Sequence, residues 1–98
     1  MIAGETPVLV DFYATWCGPC RVVSEQVLPY ISKRFGDSLR LVKINSDTYP
    51  NLCDKFKVMA FPTLILFKGG QVIHVFEGLP PGSIKDFGDQ IEYFMSSK

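Results

Sequence analysis

Pro7-Val-Leu-Val-Asp-Phe-Tyr-Ala-Thr-Trp-Cys-Gly-Pro-Cys20 is the stretch on which the reading of this chain turns. Its first half, as far as Tyr13, is short, apolar and β-branched, and it follows a Gly4/Pro7 boundary. Such a run predicts a strand buried on both faces, the kind that lies inside a parallel sheet. Gly18-Pro19 ends the extended run, and Pro19 suits the first turn of a helix, where a missing N–H costs nothing. Val23, Val27, Tyr30 and Ile31 then recur at i, i+4, i+7 and i+8, one face of that helix, with Gly36 as its stop. Pro29 lies within it and is expected to kink it, because its ring meets the carbonyl of Glu25.

Working outward, Leu39 to Asn45 reads as a second strand, and Tyr49 to Phe56 as a short helix with Asp47 or Thr48 near its start. Thr63 to Phe67 is a third strand. Gly69-Gly70 marks a two-residue hairpin, from which Gln71 to Phe76 returns antiparallel. Pro80-Pro81-Gly82-Ser83 turns the chain into a last helix whose apolar face is Ile84, Phe87, Ile91 and Phe94. Gly88 inside that helix costs roughly 1 kcal/mol against alanine. The order β-α-β-α-β-β-α predicts an α/β fold, a mixed sheet of about four strands with helices on both faces.

The chain has 98 residues, enough for one domain over 1–98 with a modest core. Hydrophobic residues make up 47% and charged residues 20%, which excludes a disordered chain. Ten Lys and Arg balance ten Asp and Glu. A net charge of zero argues against nucleic acid or an anionic membrane as the main partner, since both reward a basic surface. The longest run without a charged side chain, Val58 to Phe67, is half what a membrane-spanning helix needs and contains Pro62. Three cysteines are too few, and odd in number, for a disulfide-stapled secreted scaffold. No basic or Ser-rich leader is visible at Met1 to Thr6. The expected compartment is therefore a reducing one: cytoplasm, or an organelle matrix or stroma reached by a presequence since removed.

Cys17-Gly-Pro-Cys20, at a strand-to-helix junction, carries the chemistry. Two cysteines three apart on a first helical turn can close a small disulfide. Cys17 faces the unsatisfied N–H groups and the positive end of the helix, which favour thiolate over thiol, so it is the expected nucleophile. Cys20, a turn deeper, is the expected resolving thiol. A C-x-x-C is also half of a zinc site, but only Cys53 and His74 remain to complete four ligands, so no metal is expected. Cys53 reads as a small buried hydrophobe and His74 as a hairpin residue without catalytic duty. Asp11 stands out as a carboxylate in an apolar strand, which is costly without a partner or a task; otherwise it would be an exposed residue at a ragged strand edge. Trp16 reads as an aromatic platform at the rim of the site, with a core tryptophan as the other reading.

From about Val8 onward the chain resembles the thioredoxin family. Asp11 to Cys20 is similar to the family's active-site signature almost letter for letter. Phe61-Pro62-Thr63, followed by Leu-Ile-Leu-Phe-Lys-Gly-Gly70, resembles its cis-proline segment and hairpin, and Lys43-Ile-Asn45 and Asp47 also match. The resemblance implies a cis Phe61–Pro62 bond against the cysteine pair. It implies that Asp11 lies buried behind Cys20, its pKa raised by desolvation, to take the proton Cys20 loses, with Lys43 as the partner that offsets its charge. It places the substrate surface on Trp16, Gly18, Pro19, Ala60, Phe61 and Gly78, a small-sided face suited to an extended peptide.

The function so implied is thiol–disulfide oxidoreduction, in which the Cys17–Cys20 pair reduces disulfides in target proteins. No cofactor is expected on the chain, and a separate thioredoxin reductase would restore the dithiol. The alternatives are a disulfide oxidase or isomerase, which usually carries histidine between its cysteines, and a non-catalytic module of the same fold. Three departures from the family stand out. Only about six residues precede the strand of Asp11, where thioredoxins have a further strand and helix. A trimmed version or part of a longer protein is therefore expected, a monomer whose open edge at Leu39 to Asn45 permits dimerisation. Glu25 stands where the family has proline, with Pro29 further on. Met59-Ala60-Phe61 is bulkier than usual before the proline.

Overall fold

The computed structural model describes residues 6–96. Strand β1, Val8–Tyr13, runs through the middle of the sheet, as its apolar composition requires. It pairs in parallel with β2, Arg40–Asn45, and antiparallel with β3, Thr63–Lys68. Strand β4, Gln71–Glu77, follows β3 through the Gly69-Gly70 turn, so the order across the sheet is β2-β1-β3-β4. Both turn glycines take positive φ, 61° and 79°, the backbone that a two-residue hairpin demands and that side chains resist. The fold is α/β with a mixed four-stranded sheet, as the sequence predicts. Among the described residues β2 and β4 form its edges.

Pleating divides the side chains of β1 between two cores. Leu9 packs with Leu64, Leu66, Val23, Val27, Ile31, Phe87 and Ile91 under the long helices. Val10 and Phe12 turn the other way, toward Ile65 and toward Cys53 and Phe56 around α3, Pro50–Lys55. Helices therefore cover both faces. Helix α3 starts at Pro50 with Tyr49 in the capping position and no side-chain cap, later than Asp47 or Thr48, because the fixed φ of proline suits the first helical residue. Helix α4, Ile84–Ser96, has a reciprocal cap that the sequence reading passed over. The Asp86 N–H donates to Ser83 Oγ at 3.0 Å, and the Ser83 N–H donates to Asp86 Oδ2 at 3.2 Å.

The crossover between β1 and β2 departs from expectation. It comprises α1, Gly18–Val22, then one wide π-helical turn, Val23–Val27, then α2, Leu28–Phe35. The Leu28 N–H donates to the Val23 carbonyl, five residues back. Pro29 thus lies in the first turn of α2, and the irregularity expected from its ring at the Glu25 carbonyl takes the form of this widened turn, which contains Glu25.

Candidate functional site

The C-terminal end of β1 delivers Ala14, Thr15 and Trp16 into a turn closed by the Cys17 N–H donating to the Ala14 carbonyl at 3.2 Å. Cys17 then caps α1. Its extended backbone turns the side chain over the first helical N–H groups, and Sγ accepts from the Cys20 N–H at 3.1 Å. A thiolate at this atom is stabilised by that N–H and by the positive helix end. Cys17 and Cys20 are joined as a disulfide, their Cα atoms 5.3 Å apart. Both are buried with Ala14, under Tyr13 and Phe61. The Phe61 carbonyl lies 3.6 Å from Cys17 Sγ, where the thiol of the reduced pair can donate to it.

The Phe61–Pro62 peptide bond is cis. Pro62 is fully buried, and its carbonyl accepts the Gly78 N–H at 2.8 Å, which fastens the loop after β4 beside it. Thr63, which the sequence reading passed over, ties the same loop from within: its buried hydroxyl donates to the Ala60 carbonyl at 2.7 Å. The signal was a hydroxyl at the first position of an otherwise apolar strand. Trp16 is 74% exposed, which removes the core reading. Its ring meets Phe61 edge-on at 6.0 Å. Gly18, Pro19 and Ala60 are exposed like Trp16, and Met59, next to Ala60, is 88% exposed.

Asp11 is only 1% exposed, which removes the ragged-edge reading. Its register partners are Lys43 on β2 and Leu64 on β3. Being two residues from Leu9, it faces the same side of the sheet, toward the layer that carries Cys20. Burial pushes its carboxyl up to about 6, against the pull of the Lys43 charge. Lys43 offsets part of the Asp11 charge, as expected, but acts across space, with no hydrogen bond or ion pair between the two among the described residues. Its ammonium donates to Ser24 Oγ at 2.7 Å and lies 4.8 Å from the Tyr13 ring centre. Both Asp11 oxygens are buried, and neither has a hydrogen-bond partner among the described residues. A cleft of about 270 Å³ beside the disulfide is lined by Cys17, Cys20, Tyr13, Ser24, Glu25 and Lys43, among others.

Cys53 is buried, its thiol pushed up by that burial. His74 stacks on Phe94 at 4.1 Å, with 14° between the rings. Both lie in the packing away from the cysteine pair. Among the described residues no cluster of three or more His, Cys, Asp or Glu side chains is placed to hold a metal. No described helix is long and apolar enough to cross a membrane.

The family model for thioredoxin matches residues 1–90. "Thioredoxin Y, chloroplastic" of Oryza sativa is 44% identical over 79 residues, 81% of this chain but 46% of that protein, so the chain spans about half the length of that relative. A "Thioredoxin" of Synechocystis is 42% identical over 81 residues, 83% of this chain and 75% of its own. Among solved structures, a mutant thioredoxin from Halobacterium salinarum superposes with a TM-score of 0.80 at 31% identity, covering 96% of this chain and 79% of that one. Oxidised mitochondrial thioredoxin 3 of Saccharomyces cerevisiae gives 0.78 at 31%, covering 91% and 79%.

Proposed function

The chain belongs to the thioredoxin family, and from that premise we propose that it is a thiol–disulfide oxidoreductase that reduces disulfides in target proteins. The observation that carries this reading is the placing of Cys17 Sγ at the start of α1, accepting the Cys20 N–H and within bonding reach of the second sulfur.

Cys17 thiolate attacks one sulfur of a target disulfide and expels the other as thiolate. The mixed disulfide is then attacked at Cys17 Sγ by Cys20, which releases the second target sulfur and leaves Cys17–Cys20 oxidised. Two electrons pass from the pair to the target. The proton of Cys20 goes to Asp11. With a pKa of about 6, that carboxyl is about nine-tenths ionised at pH 7 and so ready to accept it. Trp16, Gly18, Pro19, Ala60, Phe61 and Gly78 offer the target an apolar rim, and Lys43 supports the site from β2. The chain works as one domain without a bound cofactor, and a separate reductase returns the dithiol. A reducing compartment fits this chemistry, cytoplasm or plastid, the latter because named relatives are chloroplastic.

Gly18-Pro19 supplies no cation to stabilise the reduced form, which favours a reductant over an isomerase. The test is the reduction potential of the Cys17–Cys20 pair in a glutathione redox series, together with insulin disulfide reduction. Thioredoxin is itself the reference protein for the expected potential of about −270 mV, which is carried over from the family as a whole. A potential near about −180 mV would move the protein to the isomerase class. Failure to reduce insulin at any potential would point to a non-catalytic module.

A further inference from the structure

We propose that Ser24 is a positioning residue whose hydroxyl holds the Lys43 ammonium away from the Asp11 carboxyl, leaving that carboxyl without an ionic partner. Asp11 and Lys43 are register partners in the parallel β1–β2 pair, so their side chains leave the sheet on the same face. A lysine has the reach and the three donors to satisfy a carboxylate one strand away. It does not do so here. Among the described residues no ion pair joins the two, and both Asp11 oxygens lack a hydrogen-bond partner. The ammonium is held instead by Ser24 Oγ at 2.7 Å and by the face of Tyr13 at 4.8 Å.

The anchor comes from the unusual crossover. Ser24 is the second residue of the π-helical turn, in which the Leu28 N–H reaches back to the Val23 carbonyl. That turn stands between α1 and α2 and brings the hydroxyl to Lys43 of β2, both residues lining the cleft beside the cysteine pair. The register neighbours of Asp11 are Lys43 on β2 and apolar Leu64 on β3, and among the described residues Lys43 is the charged group whose field acts on it; the Cys20 thiol of the reduced pair is its proposed proton donor. Arg21 and Glu25 line the same cleft as Ser24 and Lys43. Lys43 is thus the cation whose distance governs Asp11. Fixing it to Ser24 lets burial dominate, which keeps the carboxyl high enough to exchange a proton near neutral pH.

The inference rests on the proposed role of Asp11 as proton acceptor, but its test does not need catalysis. The Asp11 side-chain carboxyl resonance is followed against pH by ¹³C NMR in the oxidised protein, for wild type, Ser24→Ala, Ser24→Thr and Lys43→Met. Ser24→Ala should lower the Asp11 midpoint by about one pH unit, because a freed ammonium approaching the carboxylate favours its ionised form. Ser24→Thr, which restores a hydroxyl, should stay near wild type. Lys43→Met should raise the midpoint, and adding Ser24→Ala to it should change nothing further. An unmoved midpoint in Ser24→Ala, or an equal shift with and without Lys43, overturns the proposal. Mixed-disulfide release in the same variants reports separately on Asp11. A rate that ignores the shifted midpoint removes the proton role and leaves the positioning of Lys43 standing.

Discussion

Cys17→Ser is expected to bring disulfide reduction down to the uncatalysed background, while Cys20→Ser is expected to preserve the first half of the reaction and stop the second. The two thiols are close in sequence and both are buried, yet their surroundings differ. Only Cys17 Sγ sits at the helix end with a backbone N–H directed at it. Removing that sulfur removes the attacking atom, and an alcohol in the same place has too high a pKa to replace it, so turnover should fall on the order of 10³-fold or more. Cys20→Ser keeps the capped thiolate and the backbone N–H of position 20. Attack on a target should continue at close to the wild-type rate, but the mixed disulfide has no thiol to resolve it and accumulates. Mass spectrometry of protein incubated with oxidised insulin checks both: a stable adduct for Cys20→Ser and none for Cys17→Ser. The opposite pattern would exchange the two roles. Captured partners of Cys20→Ser would also identify the physiological targets.

The central strand, the hairpin and the cysteine pair were legible because each depends on local chemistry. Val8 to Tyr13 has no polar face to present to water except Asp11, so it had to lie inside the sheet. Gly69-Gly70 allows a backbone that few other pairs do. Asp11 itself was legible as an anomaly, a charge where the pattern asks for an apolar side chain, and its burial follows from the strand around it. The crossover helix was less legible. Pro29 announces an irregularity, but whether the helix bends at the proline or widens a turn before it is decided by how Val23, Val27 and Ile31 seat in the core. Ser24 was passed over for the same reason. A serine at a half-buried helical position has no local signature, and it acquires a role only when the π-helical turn and the register of β2 bring Lys43 to it.

Asp11→Asn is expected to make the protein more stable and slower at once. The carboxyl ordinarily titrates at 3.8, and burial raises it to about 6 in the fold. Between those values the folded chain binds more protons at this site than the unfolded chain does. Stability from this group is therefore fully present below about pH 4 and is lost as pH rises through about 6. At about 1.4 kcal/mol per pH unit, ionised Asp11 costs the fold up to about 3 kcal/mol at pH 7. Asparagine keeps the shape and cannot ionise. Its buried amide lacks partners much as the protonated acid does, so that penalty nearly cancels in the comparison. Denaturant titrations should find the variant about 2–3 kcal/mol more stable at pH 8, with the gain gone at pH 4. For a chain of this size that corresponds to a melting temperature higher by about 10 °C or more at the upper pH. A gain that does not change with pH would show that folding leaves the Asp11 pKa at its ordinary value. The kinetic cost falls on the second step. Without a base beside it, Cys20 must lose its proton to solvent, and mixed-disulfide release at pH 7 should slow on the order of 10-fold or more while the first attack by Cys17 is unaffected. The stability gain and the slower release should follow the same titration. A variant that gained stability above pH 6 but released its target at the wild-type rate would leave Asp11 a buried charge with no part in the proton transfer.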